Sequence, residues 1–181
     1  SANSGTALVF CSNGDLNLGE NRTLKTAAGG SLYLYAGNNG DGVGTLSATN
    51  PTLNASATGT LYLQSSGDIT TSNYLTGAIY KNLYVYTKGN ANITVDADID
   101  ISTNGGTILT LYSNGNLDLG TNRTLKTAAG GTLNLYADYN ADDVGTLSAM
   151  NPTLNASTTG TINLQSAGDI TTSNYLAEAI Y

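Results

Sequence analysis

Histidine and tryptophan are absent from this 181-residue chain, and cysteine and phenylalanine occur once each. Without histidine the commonest general base is missing, and no Ser-His-Asp or Cys-His pair can be assembled. A lone cysteine, Cys11, excludes an internal disulfide. Charged residues make up only 10% of the chain, with a net charge of −7. The six Lys and Arg stand singly, so no basic face for nucleic acid can be built from them. No apolar run approaches the ~20 residues of a membrane span. The first residues, Ser1-Ala2-Asn3-Ser4-Gly5, are not those of a signal peptide.

What the chain has in quantity is Gly, Asn, Thr, Ser, Leu and Ala, arranged in a repeat. An apolar-x-apolar step recurs at Leu8/Phe10, Leu32/Leu34, Leu61/Leu63, Leu83/Val85, Leu109/Leu111, Leu133/Leu135 and Ile162/Leu164. Successive steps lie 24, 29, 22, 26, 24 and 29 residues apart, and four consecutive intervals span 101. The whole chain matches itself at that same offset: residues 13–80 lie over 114–181 without a gap, and 52 of the 68 pairs are identical. Residues 1–101 form one repeat unit and 102–181 a shorter second one. Tyr181 matches Tyr80, after which the first copy continues, so a longer array is expected. Low charge alone would suggest disorder, but apolar residues at period 2 let the chain bury a continuous stripe.

Internal repetition at this period points to a solenoid. No stretch has the 3.6-residue period of an ordinary helix, and Gly or Asn breaks every run within about eight residues. Many short strands fit either an antiparallel sandwich or a parallel β-helix. A sandwich pairs sequence neighbours and gives no reason for a register recurring near 25 residues. In a β-helix, residues one coil apart stack ~4.8 Å above one another, so like sits on like. The expectation is therefore an all-β chain folded as a parallel, right-handed β-helix of about seven coils, four per 101-residue repeat. Such a rod would be roughly 35 Å long. Alternation turns Leu8, Phe10, Leu16 and Leu18 inward and Val9, Cys11 and Asn17 outward. Gly14 and Gly19 are expected at corners with positive φ. Coil two carries a loop, Gly37-Asn38-Asn39-Gly40-Asp41-Gly42, expected to project from the stack, and coil three returns irregularly through Tyr74-Leu75.

Differences between the copies fall mostly at outward or loop positions: Tyr33 against Asn134, Tyr62 against Asn163, Asn17 against Asp118, Gly37 against Asp138. Inward positions keep Leu, apart from Leu61 against Ile162, as a close-packed interior requires. Cys11 faces Tyr112 across the copies, so no thiol is required at that position of the coil.

Two motifs, Gly131-Thr132-Leu133-Asn134-Leu135 and Asn114-Gly115-Asn116-Leu117-Asp118-Leu119, exemplify G-[TS]-L-x-L steps alternating with N-G-x-L-x-L. This pattern, running the length of the chain, resembles the shaft repeats of filamentous-haemagglutinin-type exoproteins. The resemblance implies a right-handed β-helical rod, secreted by a two-partner route, that serves adhesion and biofilm at bacterial surfaces. Coils here average about 25 residues and vary, whereas that family's shaft repeats are shorter and more regular. The family's amino-terminal secretion domain is not part of this sequence. An acidic chain with almost no cysteine is in keeping with an extracellular or cell-surface location.

Candidate sites follow from the outward positions. The first outward column reads Val9, Tyr33, Tyr62, Tyr84, Thr110, Asn134, Asn163, and the second Cys11, Tyr35, Gln64, Tyr86, Tyr112, Tyr136, Gln165. The interaction surface is therefore Tyr33, Tyr35, Tyr62, Tyr84, Tyr86, Tyr112 and Tyr136. Such a stripe either steadies neighbouring coils, at about 0.2–1 kcal/mol per pair, or docks sugars or another rod. The loop Asp138-Tyr139-Asn140-Ala141-Asp142-Asp143 offers alternating oxygens at Asp138, Asn140 and Asp142 that would suit calcium. Ala149 stands where such a loop needs its bidentate Glu, and Gly37 replaces Asp138 in the first copy. Asp96, Asp98 and Asp100 alternate outward and read as a solvated edge. Sequons at Asn21, Asn54, Asn92, Asn122 and Asn155 permit glycosylation. β-Helical polysaccharide lyases and hydrolases use carboxylate or Lys/Arg clusters, but here carboxylates are scattered and change between copies, as Asp15 to Asn116 and Glu20 to Thr121.

The function read from the sequence is a structural, adhesive rod segment of a surface or extracellular filamentous protein. No enzymatic activity and no cofactor beyond possible calcium are expected. Partners would be further copies, in fibres or bundles joined laterally or head to tail at open strand edges, and surface glycans or a host or neighbouring cell. The rivals are a glycan-binding module using the tyrosine stripe, a β-helical enzyme, and an ice-binding sheet. The last wants regular Thr-x-Thr ladders, which the Thr residues do not form.

Overall fold

The structure, a computed structural model, describes residues 5–39 and 43–170. All but one of the complete turns are built the same way: a short strand ends where Gly, Asn or Asp bends the backbone, and three strands bring the chain back to its start. Coil one comprises β1 (Leu8–Cys11), β2 (Leu16–Glu20) and β3 (Thr23–Lys25). Coil two comprises β4 (Leu32–Tyr35), β5 (Leu46–Thr49) and β6 (Thr52–Asn54). Coil three has β7 (Thr60–Ser65) and β8 (Ile69–Thr70), with the helical turn α1 (Ser72–Leu75) in place of a third strand. Coil four comprises β9 (Asn82–Thr87), β10 (Ile93–Thr94) and β11 (Ile99–Asp100), followed by a 3-10 turn at Ser102–Asn104. Coil five comprises β12 (Ile108–Tyr112), β13 (Leu117–Thr121) and β14 (Thr124–Lys126), and coil six β15 (Thr132–Tyr136), β16 (Leu147–Met150) and β17 (Thr153–Asn155). With β18 (Thr161–Gln165) the chain enters a seventh.

The first strands of all seven coils form one parallel sheet, in the order β1-β4-β7-β9-β12-β15-β18. Its register is the one the spacing of the apolar steps dictates. Leu8 pairs with Leu32, Leu32 with Leu61, Leu61 with Leu83, Leu83 with Leu109, Leu109 with Leu133 and Leu133 with Ile162. Over the described residues the chain is thus a parallel β-solenoid of six coils plus the first strand of another. From Leu32 to Leu135 the inward side chains of this sheet are essentially without solvent exposure. They merge with Leu53, Ile69, Ile93, Leu117, Leu125 and Leu154 from the other two sides in a single apolar core. At the first coil the same kinds of residue, Leu8, Phe10, Leu16 and Leu18, are only half buried.

The other two sides are interrupted at coil three. The second side divides into β2-β5 and β8-β10-β13-β16, and the third into β3-β6 and β11-β14-β17. The cause is α1. Its Tyr74 ring fills the interior, and the Tyr74 hydroxyl donates to the Leu46 carbonyl at 2.5 Å. Asp96 of coil four receives the Ser72 amide at 2.9 Å, together with the Ser72 and Thr71 hydroxyls. The chain regains the third side only at a bridge between Asn54 and Ile79. An irregular return at Tyr74-Leu75 is therefore present, and its form is one helical turn with a buried tyrosine.

The corners hold a second ladder, made of side chains. The Asp15 carboxylate accepts the Thr45 amide at 2.8 Å, Asp68 the Asn92 amide at 2.8 Å, the Asn92 side chain the Asn116 amide at 2.8 Å, and Asn116 the Thr146 amide at 2.9 Å. Each satisfies a backbone donor of the coil above, which a corner residue outside the sheet would otherwise leave to water. Of the two corner glycines expected at positive φ, Gly19 is there at 75°. Gly14 is not; its carbonyl is what matters, since it lies 2.5 Å from where a Cβ on Gly44 would sit. Gly44 and its counterpart Gly145 have φ of 124° and 138°, and Gly115 closes on Gly145 as Gly14 does on Gly44.

Candidate functional site: the tyrosine face

Because β-strand side chains alternate, the sheet that buries its leucines must turn the intervening residues outward. Along β1 to β18 these are the two columns of the sequence, in register: Tyr33 beside Tyr62, Tyr62 beside Tyr84, Tyr84 beside Thr110, Thr110 beside Asn134, and Asn134 beside Asn163. In the second column Cys11 pairs with Tyr35, Gln64 with Tyr86, Tyr86 with Tyr112 and Tyr112 with Tyr136. All seven tyrosines named from the sequence therefore share one face. Cys11 is exposed at its end, and its thiol is free.

The rings fall into two stacks. In the first, Tyr33 lies 6.1 Å from both Tyr35 and Tyr62, Tyr35 5.1 Å from Tyr62, and Tyr62 5.8 Å from Tyr84. In the second, Tyr112 lies 4.8 Å from Tyr136, and Tyr139 joins them at 4.2 Å from Tyr112, 6.2 Å from Tyr136 and edge-on to Tyr86 at 5.6 Å. Where the second copy loses the Tyr33 and Tyr62 rings, Asn163 donates to Asn134 at 2.8 Å and Asn134 to the Thr110 hydroxyl at 3.0 Å. Aromatic contact thus gives way to an amide ladder along the same column.

Tyr139 is the residue that strand alternation missed, because it comes from the loop after β15. Its first-copy counterpart, residues 37–42, was expected to project. The second-copy loop folds back over the sheet, with the Tyr139 amide bonded to the Ser113 carbonyl at 3.0 Å and the Asp138 amide to the Gly115 carbonyl at 3.3 Å. Of the first-copy loop, residues 40–42 lie outside the described residues. The only sequence signal for Tyr139 was that a ring replaces Asn38 in the copy whose strands have fewer rings.

Between the two stacks lies a cleft of about 350 Å³. Tyr62 and Tyr84 line it from the first stack, Tyr86, Tyr112 and Tyr139 from the second, and Thr110 forms the floor. Four of its phenols are held protonated beyond their ordinary range. Burial, followed by the proximity of Tyr35, Tyr86, Tyr139 and Tyr84, pushes Tyr62 up to about 12. Burial is also the main cause of upward shifts at Tyr84, Tyr86 and Tyr112, although at Tyr86 a hydrogen bond with Asn114 works the other way.

The oxygens considered for calcium serve the loop itself. The Asp138 carboxylate accepts the Asp142 amide at 2.9 Å, Asn140 donates to Asp142 at 2.8 Å, and Asp142 accepts the Val144 amide at 3.0 Å. Nor do Asp96, Asp98 and Asp100 form one row on one strand, since only Asp100 is in β11 and each has its own partner. Asp96 holds Ser72, Asp98 accepts the Thr124 amide at 2.9 Å, and Asp100 caps Ser102 and lies 3.7 Å from Lys126. A chain folded back on itself separates what a straight strand would align. Among the described residues no three His, Cys, Asp or Glu side chains gather closely enough to hold a metal ion, and no helix is long and apolar enough to cross a membrane. Three of the sequon side chains are in use: Asn54 and Asn155 cap the Ser56 and Ser157 amides at 2.9 Å, and Asn92 belongs to the corner ladder.

What these observations define is a repetitive β-solenoid with one aromatic face. No protein-family model, curated protein or solved structure matches the chain.

Proposed function

We propose that this chain is a rigid segment of a filamentous protein displayed at a bacterial surface or secreted from the cell, and that its tyrosine face makes the contacts. The observation that carries the reading is the seven-stranded parallel sheet with apolar side chains, mostly leucine, stacked on one another from coil to coil. Such a ladder resists bending, and its period allows the rod to lengthen by adding copies without redesign. The resemblance of its G-[TS]-L-x-L and N-G-x-L-x-L steps to filamentous-haemagglutinin-type shafts supports an adhesive role, and the net charge of −7 suits an exposed surface. The chain acts by mechanical extension and contact, not by catalysis.

Two experiments test this. Small-angle scattering and electron microscopy of the purified chain should give elongated particles that associate side by side or end to end as concentration rises. Antibodies against the chain should label intact source cells. Particles that stay single at all concentrations, together with labelling only after lysis, would remove the reading. A second reading, a module that binds glycans, is favoured by one observation: the cleft that interrupts the tyrosine face.

A further inference from the structure

We infer that the cleft above Thr110 is a subsite for one to two sugar rings of an uncharged, equatorially substituted hexopyranose chain. The inference deepens the contact-face reading and rests on it, naming the place on the face and the chemistry it takes.

The argument begins with a gap. At the register position where coils two, three and four carry Tyr33, Tyr62 and Tyr84, coil five carries Thr110. A threonine fills far less space than a tyrosine, so the stack stops at Tyr84. The neighbouring column continues through Tyr86 and Tyr112, and Tyr139 lies over them from its loop. The result is a recess with ring walls on two sides, of a volume within the usual range for a small-ligand site. The rings are already held by one another, as by the 4.2 Å stack of Tyr139 on Tyr112, so little ordering is lost when something enters.

The lining decides the ligand class. It contains no Asp, Glu, Lys or Arg, and the upward shifts of Tyr62, Tyr84, Tyr86 and Tyr112 keep those four as neutral hydroxyls. An anionic or cationic ligand would give up its hydration without an opposite charge in return. Aromatic walls favour a ligand with flat apolar faces, and the phenol rims favour one with hydroxyls around its edge. A pyranose whose substituents are all equatorial has both properties: axial C–H groups on its faces and hydroxyls at its perimeter. On the floor, the buried Thr110 oxygen accepts from Asn134 at 3.0 Å, which leaves the threonine proton to donate.

The probes are cellotetraose and chitotetraose, with polygalacturonate fragments as the acidic contrast, followed by tyrosine fluorescence and by saturation transfer from protein to sugar protons. The chain should bind at least one of the two neutral probes and not the acidic one. Thr110→Tyr fills the recess by continuing the stack, and binding should be lost while the far-ultraviolet circular dichroism is kept. Tyr84→Ala and Tyr112→Ala, on opposite walls and away from the leucine core, should each weaken binding about tenfold. Met150→Thr, which installs on another sheet the residue found in the first copy at Thr49, should change nothing. Failure of both neutral probes to bind overturns the inference, as do a preference for the acidic probe and undiminished binding by the folded Thr110→Tyr chain. If tyrosine substitution abolishes only self-association, the face is a contact between copies and the sugar subsite is excluded. Scattering on the same samples reports the rod independently, so loss of the subsite and loss of the rod reading cannot be confused.

Discussion

The loop after β4 and the loop after β15 are the same loop built twice, and their differences show how the outer face changes while the interior stays fixed. Both are held by the same two backbone bonds: Gly37 to Gly14 and Asn38 to Ser12 in the first copy, Asp138 to Gly115 and Tyr139 to Ser113 in the second. The first residue has positive φ in each, 61° at Gly37 and 55° at Asp138. A Cβ on Gly37 would collide with the Ser66 hydroxyl, and in the second copy, where Asp138 has a Cβ, the residue matching Ser66 is Ala167. Two of the sequence differences are thus one steric exchange. Asp138 offsets its left-handed backbone by bonding its own carboxylate to the Asp142 amide at 2.9 Å. With the backbone secured in this way, the next position can change from Asn38 to Tyr139 and add a ring to the face.

Equivalence of the interiors is the strongest part of this comparison and the easiest to break. Leu34 and Leu135 occupy the same place in β4 and β15, and neither has any solvent exposure. Leu34→Ala and Leu135→Ala should each cost about 2–5 kcal/mol in urea unfolding. The two values should agree within about 1 kcal/mol, since neighbouring coils bury them alike. A larger gap would mean that the copies share a pattern and not a core.

The outer faces should separate in alkali. Burial pushes Tyr62, Tyr74 and Tyr80 up to about 12 from the usual 10. A phenol raised in this way favours the folded state fully below pH 10, and that contribution is lost as pH rises toward 12. Stability should therefore hold to about pH 10 and fall between 10 and 12. Tyr62→Asn, which installs the second-copy residue of Asn163, removes one of the three phenols raised furthest. The slope of stability against pH in that window should fall by one proton, and an unchanged slope would place Tyr62 among the ordinary, solvated phenols.

The exchange at the loop predicts a double-mutant cycle. Gly37→Asp alone should cost about 1–3 kcal/mol, because the new Cβ meets the Ser66 side chain and the Val43 carbonyl. Ser66→Ala should cost little, since its buried hydroxyl has no hydrogen-bond partner among the described residues. Together they should recover at least about 0.5 kcal/mol of the single loss. Strict additivity would separate the two differences.

These cases mark what was legible in the sequence. Stacking of Leu8 through Ile162 was readable because period 2 within a strand and a fixed step between coils are both one-dimensional quantities. The tyrosine columns followed at once, since outward is whatever inward is not. The corner ladder left a signal as well, Asp68, Asn92 and Asn116 at the same 24-residue step as two of the apolar intervals, but in a chain this rich in Asn and Thr such a spacing does not stand out. Tyr139, α1 and the pairing of Gly37 with Ser66 were not readable. Each depends on where a loop lies over a neighbouring coil, and that is set by contacts between residues distant in sequence. The recess above Thr110 combines both kinds: the missing ring was visible in the column, whereas the opposite wall includes a residue from a loop.

The smallest effect lies at the corner where the copies differ by one atom type. Asp15 accepts both the amide and the hydroxyl of Thr45, at 2.8 and 3.0 Å, and Asn116 does the same for Thr146, at 2.9 and 3.1 Å. The geometry is shared, but only Asp15 titrates. The Thr45 amide, and secondly its hydroxyl, hold the Asp15 carboxyl below its usual 3.8, with burial a lesser opposing influence. A depressed carboxyl contributes stability that is present above 3.8 and lost as pH falls through its folded value. Asp96 behaves alike: burial opposes, but the Ser72 and Thr71 hydrogen bonds prevail and lower it. Asp15→Asn converts the first corner into the second, so the thermal midpoint should be nearly unchanged at neutral pH. Its decline below pH 3.8 should become slightly shallower, with Asp96 left to supply part of the remainder. If the decline is identical in the two chains, the Thr45 bonds do not distinguish carboxylate from amide, and the corner is held by shape alone.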